Sequence, residues 1–223
     1  LFTKQSFGQK YPTLEIGQKI PIQNYKIKSV DGEFMSLNDN VKNNGILVVF
    51  TSNKCPFVVM WEDRYKVIEE ECLKSDIGMV YINSNEARRD GDDSIDKMKE
   101  HAIKMGYKQP YLIDRNSKIA NSFGAKTTPH IFLFNNNREL IYKGAIDDNY
   151  KSIENVKEWI QDIFNLIKGG GAQAIDGEID AEQENEKQTI SNENPSIVQV
   201  KQLFYDIASM TSEALRQSEY LDP

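Results

Sequence analysis

The chain has 223 residues, 39% of them apolar, enough for one generous domain or for a domain with an appendage. Its net charge of −7, with no clustered Lys/Arg stripe, argues against nucleic acid as a partner, because phosphate contacts need a basic footprint. Cys55, Cys72, His101 and His130 are too widely spaced for a metal site, no cofactor is expected, and no apolar run approaches the ~18 residues of a membrane span.

The opening "LFTKQSFGQ" carries Ser6 and Gly8 in a small-x-small pattern that fits the end of a cleaved export signal; the other reading of residues 1–11 is a plain N-terminal arm. In "LEIGQKIPIQNYKIKSVDGEFMSLND" short alternating segments flank Asp31-Gly32, a turn pair that predicts a β-hairpin. "GILVVF" (45–50) is a β-branched run and predicts a strand buried on both faces. From Pro56 the period changes: Val59, Trp61, Tyr65, Val67, Ile68 and Cys72 lie among charged residues and predict one helix ending near "LKSD". "IGMVYINSN" (77–85) predicts a second buried strand, and "DDSIDKMKEHAIKMGY" a helix opened by an Asp/Ser cap and closed by Gly106. "YLIDRNSKIANSFGA" reads as a short strand then a short helix, and "HIFLFNNNRELIYKGAI" as a hairpin around an Asn-rich turn. "SIENVKEWIQDIFNLIKGGG" predicts an amphipathic helix stopped by three glycines. With right-handed crossovers, this alternation predicts an α/β fold: a central mixed β-sheet flanked by helices on both faces, with an N-terminal β-hairpin.

Beyond residue 170 the composition shifts. Residues 171–194 are acidic, polar and without aromatics; they cannot bury enough surface to offset their ordering entropy and are expected to be a linker. In 195–223, Ile197, Val200, Leu203, Phe204, Ile207, Met210 and Leu215 stand near helical spacing behind Pro195-Ser196. A lone helix of that length is marginal in water, so the apolar stripe of 197–221 needs a surface, either the chain's own domain or a protein partner.

"VVFTSNKCPFVV" delivers Cys55 to the start of the predicted helix. A thiolate there faces unpaired N–H groups and the positive dipole end, which lowers a thiol pKa from about 8.5 by one to several units. Pro56 suits an early helical position because it has no N–H to lose. The position suits a plain buried cysteine equally, and this stretch alone leaves both readings open. "TTPHIFLF" places Pro129 just before a strand, where proline is awkward unless its peptide bond is cis or the chain is turning. Beside a thiol, such a bond exposes the Thr128 backbone for strand-like pairing with a substrate segment. Ser52, three residues before Cys55, and Thr51 carry hydroxyls able to donate to a thiolate or a peroxide oxygen. His130 either faces the thiol or, by strand alternation, solvent. Arg64 is either a stabiliser of negative charge or, more commonly for such a position, a solvated helix-face residue. Cys72 does not pair with Cys55 on this reading: seventeen residues of helix span roughly 25 Å, whereas a disulfide needs Cα atoms within about 7 Å.

"GQKIPIQNYKIKSVDGEFMSL", "VVFTSNKCPF", "YLIDRNSKIANSFGAKTTPHIFLF" and "YKGAIDDN" together resemble the thioredoxin-like redoxins, specifically the peroxiredoxin-like branch of alkyl hydroperoxide reductase/thiol-specific antioxidant type, over residues 12–168. The resemblance implies a thioredoxin-like domain over 12–170, with Cys55 as the attacking cysteine and Pro129 as the cis-proline opposite it. Many bacterial members are exported, so it also implies a periplasmic or extracellular location, with the cytoplasm as the alternative. The chain departs from the pattern at three points. Val58 stands where a C-x-x-C would place a second thiol, Ser52 where members of the branch often carry another cysteine, and Val48 where a peroxiredoxin proper has proline. The local routes to a disulfide are therefore missing. The expectation is a single-cysteine thiol oxidoreductase: Cys55 attacks a peroxide or a protein disulfide, and an external thiol reductant or redox partner protein regenerates it. From another class, the alternative is a non-catalytic thioredoxin-fold binding or adaptor module within a larger assembly.

Overall fold

Residues 11–144 and the pair 175–176 are described in the structure, a computed structural model. Asp31 and Gly32 turn the chain between β1 (Ile27–Ser29) and β2 (Phe34–Met35), which pair antiparallel as the alternating pattern predicts. All six residues of β3 (Ile46–Thr51) and all six of β4 (Gly78–Asn83) are buried, and the two run parallel in register from Ile46 opposite Gly78 to Thr51 opposite Asn83. Such continuous burial is why these strands read as apolar runs rather than alternations. Gly78 is required by close approach: a Cβ there would lie 1.7 Å from the Asn40 carbonyl oxygen.

β5 (Tyr111–Ile113) lies parallel to β4 and antiparallel to β1. β6 (His130–Phe134) returns antiparallel along β3, β7 (Leu140–Gly144) folds back on β6, and β8 (Ile175–Asp176) adds parallel to β7. The order among the described residues is β2-β1-β5-β4-β3-β6-β7-β8.

Successive side chains of a strand point to opposite faces, so the central strands build two cores at once. One face gathers Leu47, Val49, Met79, Tyr81, Tyr111, Ile131 and Leu133 with helical residues Trp61, Tyr65, Ile68, Cys72 and Met98. The other gathers Val48, Phe50, Val80, Ile82, Leu112, Phe132 and Phe134 with Ile119, Ala120 and Phe123. α3 (Ile95–Met105) begins at Ser94, whose hydroxyl accepts from the Lys97 amide, and ends at Gly106 in the left-handed conformation, as its caps predict. α4 (Lys118–Phe123) covers the second face. The mixed, helix-flanked sheet expected from the order of elements is what forms.

The expected single helix from Pro56 is broken. α1 (Pro56–Trp61) gives way to a 3-10 turn at Glu62–Arg64, and α2 (Tyr65–Lys74) follows. The apolar period missed this because the break is made by buried polar groups. The Glu62 carboxylate accepts from the Tyr107 hydroxyl and meets His101 Nε2 at 2.5 Å. Arg64, expected in solvent, is instead buried, donating to the Met60 carbonyl and to Asp63 with its guanidinium 4.9 Å from the Trp61 ring centre. The chain divides into two units, Leu1–Asp176 and Gly177–Pro223. Ile175–Asp176 fall within the stretch expected to be a linker and instead pair with β7, a short strand that composition alone does not signal. The rest of the acidic segment, the expected export remnant up to residue 10, the amphipathic helix expected after residue 151 and the C-terminal helix lie outside the described residues.

Candidate active site

The site is built where two strand ends meet. β3 ends at Thr51 beside the start of β6, and the antiparallel register sets Phe50 opposite His130. The loop leaving β3 therefore lies next to the loop entering β6. Cys55 occupies the N-cap of α1, with its carbonyl accepting from the Val59 amide at 3.0 Å and Pro56 following at the first helical position. Its side chain makes no capping bond. The sulfur turns instead to the loop before β6 and donates to the Thr128 carbonyl at 3.3 Å, across seventy-three residues of sequence. The Thr128–Pro129 bond is cis. Cys55, Thr128 and Pro129 are half-buried, and Lys54 and Pro56 beside the cysteine are exposed. A cavity of about 130 Å³ beside Glu62, Tyr65, Glu69 and Tyr107 includes neither Cys55 nor Thr128 in its lining.

The other expected residues take different places. Thr51 and Ser52 are buried in the turn, and the Thr51 hydroxyl pairs with the Tyr65 hydroxyl at 3.0 Å. Burial pushes the Tyr65 phenol up, and the charges of Glu62 and Cys55 add to that, so Tyr65 remains a neutral hydrogen-bonding partner beneath the turn. His130 is half-buried, and the partners it shows are Lys126 and Phe132. Its Nδ1 accepts from the Lys126 amide at 3.3 Å, and its ring packs 4.5 Å from that of Phe132, on the α4 side of the sheet. Burial, helped by the positive charges of Lys126 and Lys143, lowers its pKa to about 4. Val58, where a second cysteine would stand, is fully buried. Cys55 and Cys72 are both free, and Cys72 is 1% exposed with its thiol pushed up by burial.

A polar cluster under the turn has no counterpart in the sequence reading. The Asp93 carboxylate, 0% exposed, accepts through Oδ1 from the Asn53 amide (2.8 Å) and the Asn83 side chain (2.7 Å), and through Oδ2 from the Asn85 side chain (2.8 Å). The Asn53 side chain donates to the Asp92 carbonyl at 2.7 Å and accepts from the Tyr111 hydroxyl at 3.0 Å. Arg89 donates to the Asp93 and Asn83 carbonyls. The available signal was polar residues where burial was expected, at the end of the "YINSN" strand, together with an Asp in "DDS" that turns inward while Ser94 does the capping.

The Redoxin family profile matches residues 15–159 of the chain. No curated protein matches it. Among solved structures it is similar to a hypothetical protein from Sinorhizobium meliloti, with 25% identity, 73% of this chain and 89% of that one covered, and a TM-score of 0.65. An uncharacterized conserved protein from Geobacillus kaustophilus has 25% identity over 70% of this chain and 85% of its own, with a TM-score of 0.62. The peroxidoxin BcpB from Mycobacterium tuberculosis shares the fold at 13% identity, covering 69% and 98% of the two chains with a TM-score of 0.54. With a half-exposed thiol at a helix start, a cis-proline loop against it and the profile spanning most of the described domain, the chain belongs to the Redoxin family and is a thioredoxin-like oxidoreductase by class.

Proposed function

We propose that Cys55 is the attacking thiol of a single-cysteine redoxin that reduces a peroxide or a protein disulfide and is regenerated by an external thiol or redox partner. The observation that carries this reading is the sulfur of the half-buried Cys55 placed 3.3 Å from the carbonyl of Thr128, immediately before the cis bond to Pro129. With a peroxide, the thiolate forms an S–O bond, the O–O bond breaks, and the leaving oxygen takes the electron pair and a proton; sulfur is oxidised to sulfenic acid. An external thiol then displaces water to give a mixed disulfide, and a second external thiol releases Cys55. With a disulfide substrate, the thiolate forms the mixed disulfide directly and the substrate's other sulfur leaves as thiolate.

The turn residues take distinct parts. Pro56 fixes the helix start, the hydroxyls of Thr51 and Ser52 hydrogen-bond the reacting atoms or hold the turn, and Arg64 is the candidate stabiliser of negative charge. Thr128 and Pro129 form the edge on which substrate docks, with His130 bracing that edge from behind. Export to the periplasm or beyond belongs to the same proposal, as does peroxiredoxin-like antioxidant activity.

The test is hydrogen peroxide or a small disulfide added to the full chain, with mass spectrometry of both cysteines. Sulfenic acid or a mixed disulfide at Cys55, with Cys72 unmodified, is expected. The adaptor reading, which the burial of Val58 in place of a second thiol favours, takes over if Cys55 neither oxidises nor exchanges.

A further inference from the structure

The turn that carries Cys55 is short, and few groups hold it. Thr51 ends in the strand ladder, and the Cys55 carbonyl belongs to α1. Between them Asn53 is tied by three hydrogen bonds, from its amide to Asp93, from its side chain to the Asp92 carbonyl and to it from Tyr111. The tethers come from two other parts of the fold, the loop before α3 and strand β5. Asp93 is itself fixed by Asn83 and Asn85 at the end of β4, and Arg89 clamps the Asp93 and Asn83 backbones together. A wholly buried carboxylate is costly unless its acceptor sites are filled; here the donors that fill them include the backbone of the cysteine turn itself.

We propose that Asp93, acting through Asn53 and supported by Tyr111, is the positioning residue of the redox site: it fixes where the turn leaves β3 and so holds the Cys55 sulfur against the Thr128 carbonyl. Asp93 touches no reacting atom. Its part is to keep the thiol half-covered and aimed at the cis-proline edge, where a peroxide or a disulfide in line with the sulfur is favoured over indiscriminate reagents. The inference rests on the reading of Cys55 as the reacting thiol, but its signature is separable from that activity.

The experiment measures alkylation of Cys55 by iodoacetamide in the full-length chain above about pH 9.5, where thiols are ionised and the rate reports access to the sulfur. Cys72, buried in the core, serves as the internal gauge of unfolding. Asp93→Asn removes one acceptor from the cluster, and Tyr111→Phe, a milder change, leaves the Asn53 side-chain Oδ1 without its donor. Asp114→Asn is the control: Asp114 is also buried, but it holds the start of α4 through the Ile119 and Ala120 amides at 2.9 Å each. Freeing the turn is expected to raise Cys55 alkylation at least about fivefold in Asp93→Asn and Tyr111→Phe with Cys72 still protected, while peroxide oxidation and disulfide exchange fall. Asp114→Asn should lower thermal stability and leave the Cys55 rate unchanged. If Asp93→Asn labels Cys72 as well, Tyr111→Phe decides. Rates within about twofold of the unsubstituted protein in the readable variants, or an equal rise in Asp114→Asn, would overturn the proposal. A thiol inert to peroxide and disulfide would count against the activity, not against the clamp, whose alkylation signature remains readable.

Discussion

The two cysteines of the chain stand in opposite surroundings. Cys55 is half-exposed at a turn, whereas Cys72 is packed in the core with its thiol pushed up by burial, so Cys55→Ser is expected to abolish reaction with peroxide and disulfide, and Cys72→Ser to leave it within about twofold. Rates of peroxide consumption for the two variants check this. His130 offers a second residue-scale prediction. Its folded value near 4 lies below the ~6.5 of an unfolded histidine, so the unfolded chain takes up the proton first. The stabilising contribution is therefore fully present above about pH 6.5 and is lost as pH falls toward 4. His130→Gln should remove about 2 kcal/mol of the stability lost between pH 7 and pH 5, read as a flatter pH dependence of the urea midpoint.

At the scale of elements, the break between α1 and α2 is where sequence pattern and structure part company. A stripe of Val59, Trp61, Tyr65 and Ile68 describes one helix, but Glu62 is only 5% exposed and ties the break to His101 of α3 and to Tyr107 just beyond it. Glu62→Ala leaves the Tyr107 hydroxyl buried without its acceptor, and the expected cost is about 2 to 4 kcal/mol by urea unfolding. Unchanged stability would mean that helix packing, not the carboxylate, sets the break. Elements with local signals came out as read. Ser94 and Gly106 bound α3, and Asp31-Gly32 makes the first hairpin, because caps and turns satisfy or shape the backbone within a few residues of themselves.

At the scale of the molecule, the sheet separates two cores with different work. The α4 face is a set of edge-to-face aromatic contacts, with Phe123 5.3 Å from Phe50, 5.1 Å from Phe132 and 5.7 Å from Phe134 between ring centres. Phe123→Ala should cost about 3 to 5 kcal/mol, measured by denaturant unfolding. The opposite face carries the tyrosines: Tyr65 stacks on Tyr81 and Tyr81 on Tyr107, and Tyr111 meets Tyr81 edge-on while its hydroxyl reaches the cluster beneath the cysteine turn. The site thus stands on the polar-edged core.

The sequence by itself determined strands β1 to β7, the caps, the placement of a cysteine before a helix and of a proline before a strand, because each rests on periodicity or on backbone preferences of adjacent residues, whereas β8 in the acidic stretch carries no such pattern. Antiparallel pairing of β3 with β6 was decided only by the tertiary structure, and with it the contact of Cys55 with Thr128. The same holds for the inward turn of Asp93, the burial of Arg64 and the seating of His130 on the α4 side. Those are questions of which distant group fills a hydrogen bond or removes a side chain from water, and no local pattern encodes a partner forty or seventy residues away.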